Sequence, residues 1–196
     1  MKSKVLRVSI VTILSVGIWL TVVKPANAQA QRVRWDIMFF NRNFTAFSAG
    51  GILSAKAVDG SKITLTGTGT FVEGTSDAVT GGGTWNILFP RGSNPPSASG
   101  TYTVEGFVQY VEAPGTFAGS GVIDNIGDVE DTHAGLGILS ILYSDGERGI
   151  LLVSCNLNGM TFPPIYEGAS ATKGFVNYFA PVLPGDPNAT VFHFEH

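Results

Sequence analysis

Apolar and polar residues alternate with a period of two along most of this chain, and the clearest case is Lys62–Phe89, KITLTGTGTFVEGTSDAVTGGGTWNILF. Ile63, Leu65, Gly67, Gly69 and Phe71 fall on one face, with Lys62, Thr64, Thr66, Thr68 and Thr70 on the other. After a polar break at Glu73–Asp77 the pattern resumes with Val79, Gly81, Gly83, Trp85, Ile87 and Phe89. Such alternation predicts two half-buried antiparallel strands joined by a turn. Glycines on the inward face weaken a strand, so their recurrence marks bends, barrel corners or space beside the backbone.

The same pattern predicts strands elsewhere. They are Val33–Phe40, Ile52–Val58 (joined to Lys62–Val72 through Asp59-Gly60), Thr101–Val111, Thr116–Ile123, Ala169–Phe179 and Thr190–Phe194. In Thr101–Val111 the inward set is Tyr102, Val104, Val108 and Tyr110. Leu136–Tyr143 and Gly149–Val153 are apolar on both faces and meet through Asp145-Gly146, which predicts a hairpin in the most buried part of the domain. Asn41–Gly51 and the proline-rich PRGSNPPSASG predict loops. The sum is about nine or ten strands and no segment with a sustained helical period. That is an all-β, single-domain antiparallel β-barrel, with a β-sandwich as the alternative. A barrel accounts better for glycines that recur on one face, and closure removes the edges that Thr-rich strands would expose.

Met1–Ala28 reads as a secretory signal peptide. Lys2, Lys4 and Arg7 precede an apolar run from Val8 to Val23, and Ala26-Asn27-Ala28 supplies a small-x-small cleavage site. Residues 29–196 then form the single domain, exported to a periplasmic or extracellular place, with no stable membrane span after cleavage. They carry eight basic and fifteen acidic side chains, a net charge of −7. An acidic surface without a basic stripe argues against nucleic acid as a partner. An outer-membrane barrel is disfavoured because the faces are Thr, Lys and Glu against Gly and aromatics, not an aliphatic band around a polar interior. Cys155 is the only cysteine, so no intrachain disulfide forms, and its place beside Leu151 and Val153 predicts a buried thiol.

Three kinds of candidate chemistry remain. Trp35, Phe71, Trp85, Tyr102 and Tyr110 converge on one interior, which is either a filled core or a cavity for a small apolar or sugar-like ligand. Asp124, Asp128, Glu130 and Asp131 lie within eight residues, a pattern open to weak Ca²⁺ binding although it is not a helix-flanked calcium loop. No other cofactor is expected. Catalysis has no signature: His133, His193 and His196 lack zinc spacing, and neither Gly-x-Ser-x-Gly nor a phosphate loop occurs. Asn43-Phe44-Thr45 and Asn188-Ala189-Thr190 match the glycosylation acceptor pattern.

The segments WDI, ITLTGTGTF, VTGGGTW, DNIGD, YSDGERG, LLVSC and KGFV together resemble a group of small exported bacterial all-β proteins of uncharacterised function. That resemblance implies export and one β domain, and no activity. Thr80-Gly81-Gly82-Gly83-Thr84-Trp85 is also similar to the Gly-rich turn of dirigent and allene-oxide-cyclase-like barrels, in that one turn only. The expectation is therefore non-catalytic binding of a small ligand or a partner surface. The alternatives are a small isomerase- or cyclase-like barrel enzyme with its site at the mouth, and a structural envelope-associated protein without a pocket.

Overall fold

A computed structural model describes residues 30–157, 166–182 and 188–196. The signal peptide expected at Met1–Ala28 lies outside the described residues. So do most of the NGMTFPP and PVLPGDPN breaks.

Six strands close a ring. They are β1 (Arg32–Phe40), β5 (Thr68–Val72), β6 (Thr75–Leu88), β7 (Ser97–Ala113), β9 (Thr132–Tyr143) and β14 (Asn188–Glu195). Each pairs antiparallel with the next, and β14 returns to β1. The antiparallel barrel is therefore the fold, and the sandwich is not.

Two arms leave this ring. One runs from β9 through β10 (Arg148–Cys155) and β11 (Gly168–Lys173) to β12 (Val176–Tyr178). The other runs from β6 through β4 (Lys62–Leu65) and β3 (Leu53–Lys56) to β13 (Ala180–Pro181). The arms face each other, and Leu53, Ala55, Ile63, Leu151, Val153 and Ala171 join the barrel interior in one continuous core. Cys155 is fully buried there, and burial pushes its thiol pKa well up.

Fourteen strands occur among the described residues, more than the nine or ten expected, because several apolar runs change partners part-way. Lys62–Val72 is two strands. At Thr66-Gly67 the chain leaves β3 for β1, and the Ile37 amide donates to the Gly67 carbonyl at 2.9 Å. Strand β6 spans this fork, pairing β4 with its second half and β5 with its first. A Cβ at Gly83 would lie 1.9 Å from the Thr66 carbonyl oxygen, so the fork needs glycine there.

Ala169–Phe179 is likewise a hairpin, turned at Gly174-Phe175 with Gly174 in the left-handed region. Asn41–Gly51 holds β2 (Ala46–Ala49), which pairs with β1. The strand expected over Thr116–Ile123 is a loop, and only β8 (Ile123–Asp124) reaches β2, in parallel. Val108 points outward and is 55% exposed. Register shifts after Val104 and Phe107 rotate the phase of β7, so that Phe107 turns in to stack on Phe71 at 4.9 Å. The Asp145-Gly146 and Glu73-Gly74 hairpins stand as expected.

The outer side of β1 and β14 is covered by the loop between β7 and β9. Met38, Phe47 and Val191 form a second, small core under Phe117, Val122 and Ile126. Asp36, which alternates with Trp35 and Ile37 and so falls on this outer side, is fully buried and takes two hydrogen bonds from Arg34.

Candidate functional site at the barrel mouth

The five rings expected inside do converge. Trp35, Phe71, Trp85, Tyr102 and Tyr110 are all buried. Phe71 meets Tyr110 at 5.5 Å between centroids, Tyr110 meets Phe192 at 5.0 Å, and Trp85 meets Tyr143 edge-on at 5.7 Å. The glycines opposite do not leave a gap. A Cβ on Gly67 would meet Tyr102 and Trp35, one on Gly100 would meet Trp85, and one on Gly135 would meet Tyr110, all at 3.0 Å or less. Each glycine is thus the bed of a ring, and the space above it is filled. Two polar tips find partners in the wall: Tyr102 donates to the Thr66 carbonyl at 2.7 Å and Trp85 Nε1 to the Thr101 carbonyl at 3.1 Å, whereas the buried Trp35 Nε1 has none among the described residues. Burial raises the pKa of Tyr102 and Tyr110, which stay neutral donors.

The acidic loop is used up in local structure. Asp124 is buried, lies 2.7 Å from His193 Nε2 and accepts the Ile126 and Gly127 amides. Asp128 caps a 3-10 turn through the Glu130 amide, Glu130 accepts from the Gly119 amide, and Asp131 pairs with His196. Among the described residues no three such groups converge in metal-binding geometry. His133 pairs with Glu112 and stacks on Phe194. Asn43 is exposed in its turn, as a glycosylation acceptor must be, whereas Thr190 of the second pattern is buried.

A concave site lies instead where β6, β9, β10, β11 and β12 end together. An open groove of about 370 Å³ is bounded by Phe89, Phe175 and Tyr178, with Asp145, Glu147 and Lys173 at its charged side. The alternation in Ala169, Ala171, Lys173 points the lysine inward behind two small residues, and the tight Gly174-Phe175 turn holds it there. Its Nζ sits 4.7 Å from the Trp85 ring centroid and 5.1 Å from that of Tyr143, and donates to both Asp145 and Glu147. Burial alone would lower the lysine pKa. The two carboxylates outweigh it, so the pKa is raised and the group stays an ammonium. Asp145 is lowered in turn: its desolvation is outweighed by the lysine hydrogen bond.

Beside the groove the turn apices carry apolar residues. Phe175 and Val58 are fully exposed, and shallower hollows of about 300 and 220 Å³ run between Ala57-Val58 and Asn177. Turn apices are ordinarily polar, and these two side chains are not covered by the described residues. A larger hollow of about 520 Å³ beside Ala30–Arg32 borders the first described residue and is not a closed site.

The sequence reasoning missed this mouth. SDGER was legible as a turn, but nothing local says that its acids face a lysine 26 and 28 residues further on. The inward phase of Lys173 was the one available signal. Set against family models, curated proteins and solved structures, the chain matches none.

Proposed function

We propose that this is an exported, non-catalytic binding protein that engages its ligand or partner at the barrel mouth rather than inside the barrel. The observation that carries the proposal is Phe175, a fully exposed ring at the apex of a tight turn beside an aromatic groove. The rings bedded on Gly67, Gly100 and Gly135 support it, since they take up the space that a ligand would need above those glycines. Lys173 in the groove is held protonated between two carboxylates, which makes it a poor nucleophile and favours binding over covalent catalysis. The basic start, the apolar run and Ala26-Asn27-Ala28 support export, with a mature chain beginning at Gln29.

Titration with the neutral apolar dye Nile red tests the surface. The wild type should show saturable binding, Phe175→Ser should lose it, and Val108→Ser, an exposed apolar position away from the mouth, should keep it. Equal binding by both variants overturns the reading.

A further inference from the structure

The mouth combines an aromatic wall with an excess of negative charge, and we propose that it binds an organic cation: a guanidinium or alkylammonium group on an apolar stem. This rests on the surface-binding reading above and gives it a ligand class. Three observations carry it.

The first is what the mouth already holds. The Lys173 ammonium lies over Trp85 and Tyr143 and between Asp145 and Glu147, so the fold itself shows which charge these groups favour. The second is the charge left over. Two carboxylates face one ammonium, and among the described residues Glu147 Oε1 receives no hydrogen bond. It lies against the Gly174 turn, where a Cβ would meet it at 3.2 Å, next to Phe175. A second cation placed there meets a carboxylate oxygen that receives no hydrogen bond, in a groove that Phe175 and Phe89 also line. An anion would instead have to displace both carboxylates from Lys173. The third is size and setting. About 370 Å³ lies within the range of small-ligand sites, and the net −7 of residues 29–196 favours the approach of cations. Asp145 and Glu147 are each about half exposed, so little desolvation opposes binding. Exposed cation–π contacts and ion pairs are individually weak, which sets the expected Kd at about 0.1–1 mM.

Calorimetric titration with three probes tests this: the peptide acetyl-Gly-Arg-Gly-amide, its neutral citrulline analogue, and benzyltrimethylammonium. At least one cation should bind saturably, the citrulline peptide should not, and added salt should weaken the cation. Glu147→Gln and Phe175→Ser should each weaken it at least fivefold. Phe175 makes no buried contact, so circular dichroism of that variant should match the wild type even if Glu147→Gln fails to fold. Binding of the arginine peptide alone assigns the site to a cationic side chain of a partner; binding of benzyltrimethylammonium alone assigns it to a free small molecule. The proposal is overturned if neither cation saturates below about 10 mM, or if citrulline binds as well as arginine. Nile red binding that still depends on Phe175 would then leave the surface-binding reading standing and remove only the cation.

Discussion

Strand β1 is buried on both sides, and the two sides are packed by different chemistry. Inward, Val33, Trp35 and Ile37 meet a core in which large rings rest on glycines, so the fit is one of shape. Outward, Met38 lies in the small core beneath the loop between β7 and β9, and polar side chains on this side are matched in pairs: Asp36 with Arg34, and Asp124 with His193. The shape side tolerates no lost volume, and the charged side tolerates no lost partner.

The largest effect should come from the shape side. Trp85→Ala removes a ring that covers Gly100 and supports Lys173, and should cost about 3–5 kcal/mol in urea unfolding. A loss below about 1 kcal/mol would mean that the core closes over the gap. On the charged side, Asp124→Ala strips His193 of its one partner, since Nδ1 already has none, and frees two backbone amides. A cost on the order of 3 kcal/mol is expected, measured by the same unfolding experiment. If Asp124→Ala is neutral, the pair contributes nothing to holding the loop.

Gly83→Val sharpens the contrast at the fork. The new side chain meets backbone, the Thr66 carbonyl and the Gly67 Cα, and not a movable side chain. About 1–3 kcal/mol should be lost with Nile red binding at the mouth unchanged. Retention of full stability would place the fork elsewhere.

The smallest effect concerns a buried acid held without a cation. Glu167, just before β11, accepts the Asn156 and Thr190 amides and the Thr190 hydroxyl. Burial pushes its pKa up to about 7, although those hydrogen bonds pull it down. The folded state therefore holds this proton more tightly than the unfolded state. Its contribution is full below the ordinary carboxylate pKa and is lost as pH rises to about 7 and beyond. Wild-type stability should fall across that window more steeply than that of Glu167→Gln. Parallel profiles would show that the carboxyl ionises normally.

The period of two was enough to find the inward faces, because a residue's side on a strand follows from parity alone. Trp35, Phe71, Trp85, Tyr102 and Tyr110 are buried where parity puts them. Parity fails wherever the chain changes partner or gains a residue. Nothing in LTGTG says that β4 ends and β5 begins at Gly67, and nothing in VEGFVQ says that two register shifts turn Val108 out and Phe107 in. The covering of this side of β1 and β2 was equally hidden, since Asn125 of the loop reaches the Phe47 carbonyl from 78 residues away. The mouth was legible only as separate fragments, a turn with two acids and a strand ending in Lys-Gly-Phe. Their meeting is a property of the barrel, not of either segment.

One feature of the ring bears on how the molecule responds to force. Strands β1 and β14 lie side by side, with Arg32 opposite Glu195 and the ladder running on to Phe39 opposite Asn188. Tension applied at Arg32 and Glu195 pulls along the direction of the interstrand hydrogen bonds, so the rungs bear load one after another. Such a seam unzips at low force, while the same rungs sheared together would resist strongly. Under such a pull the barrel would open from the Arg32–Glu195 end, and the parting of β1 from β14 would reach Trp35 and Phe192 by the fourth rung.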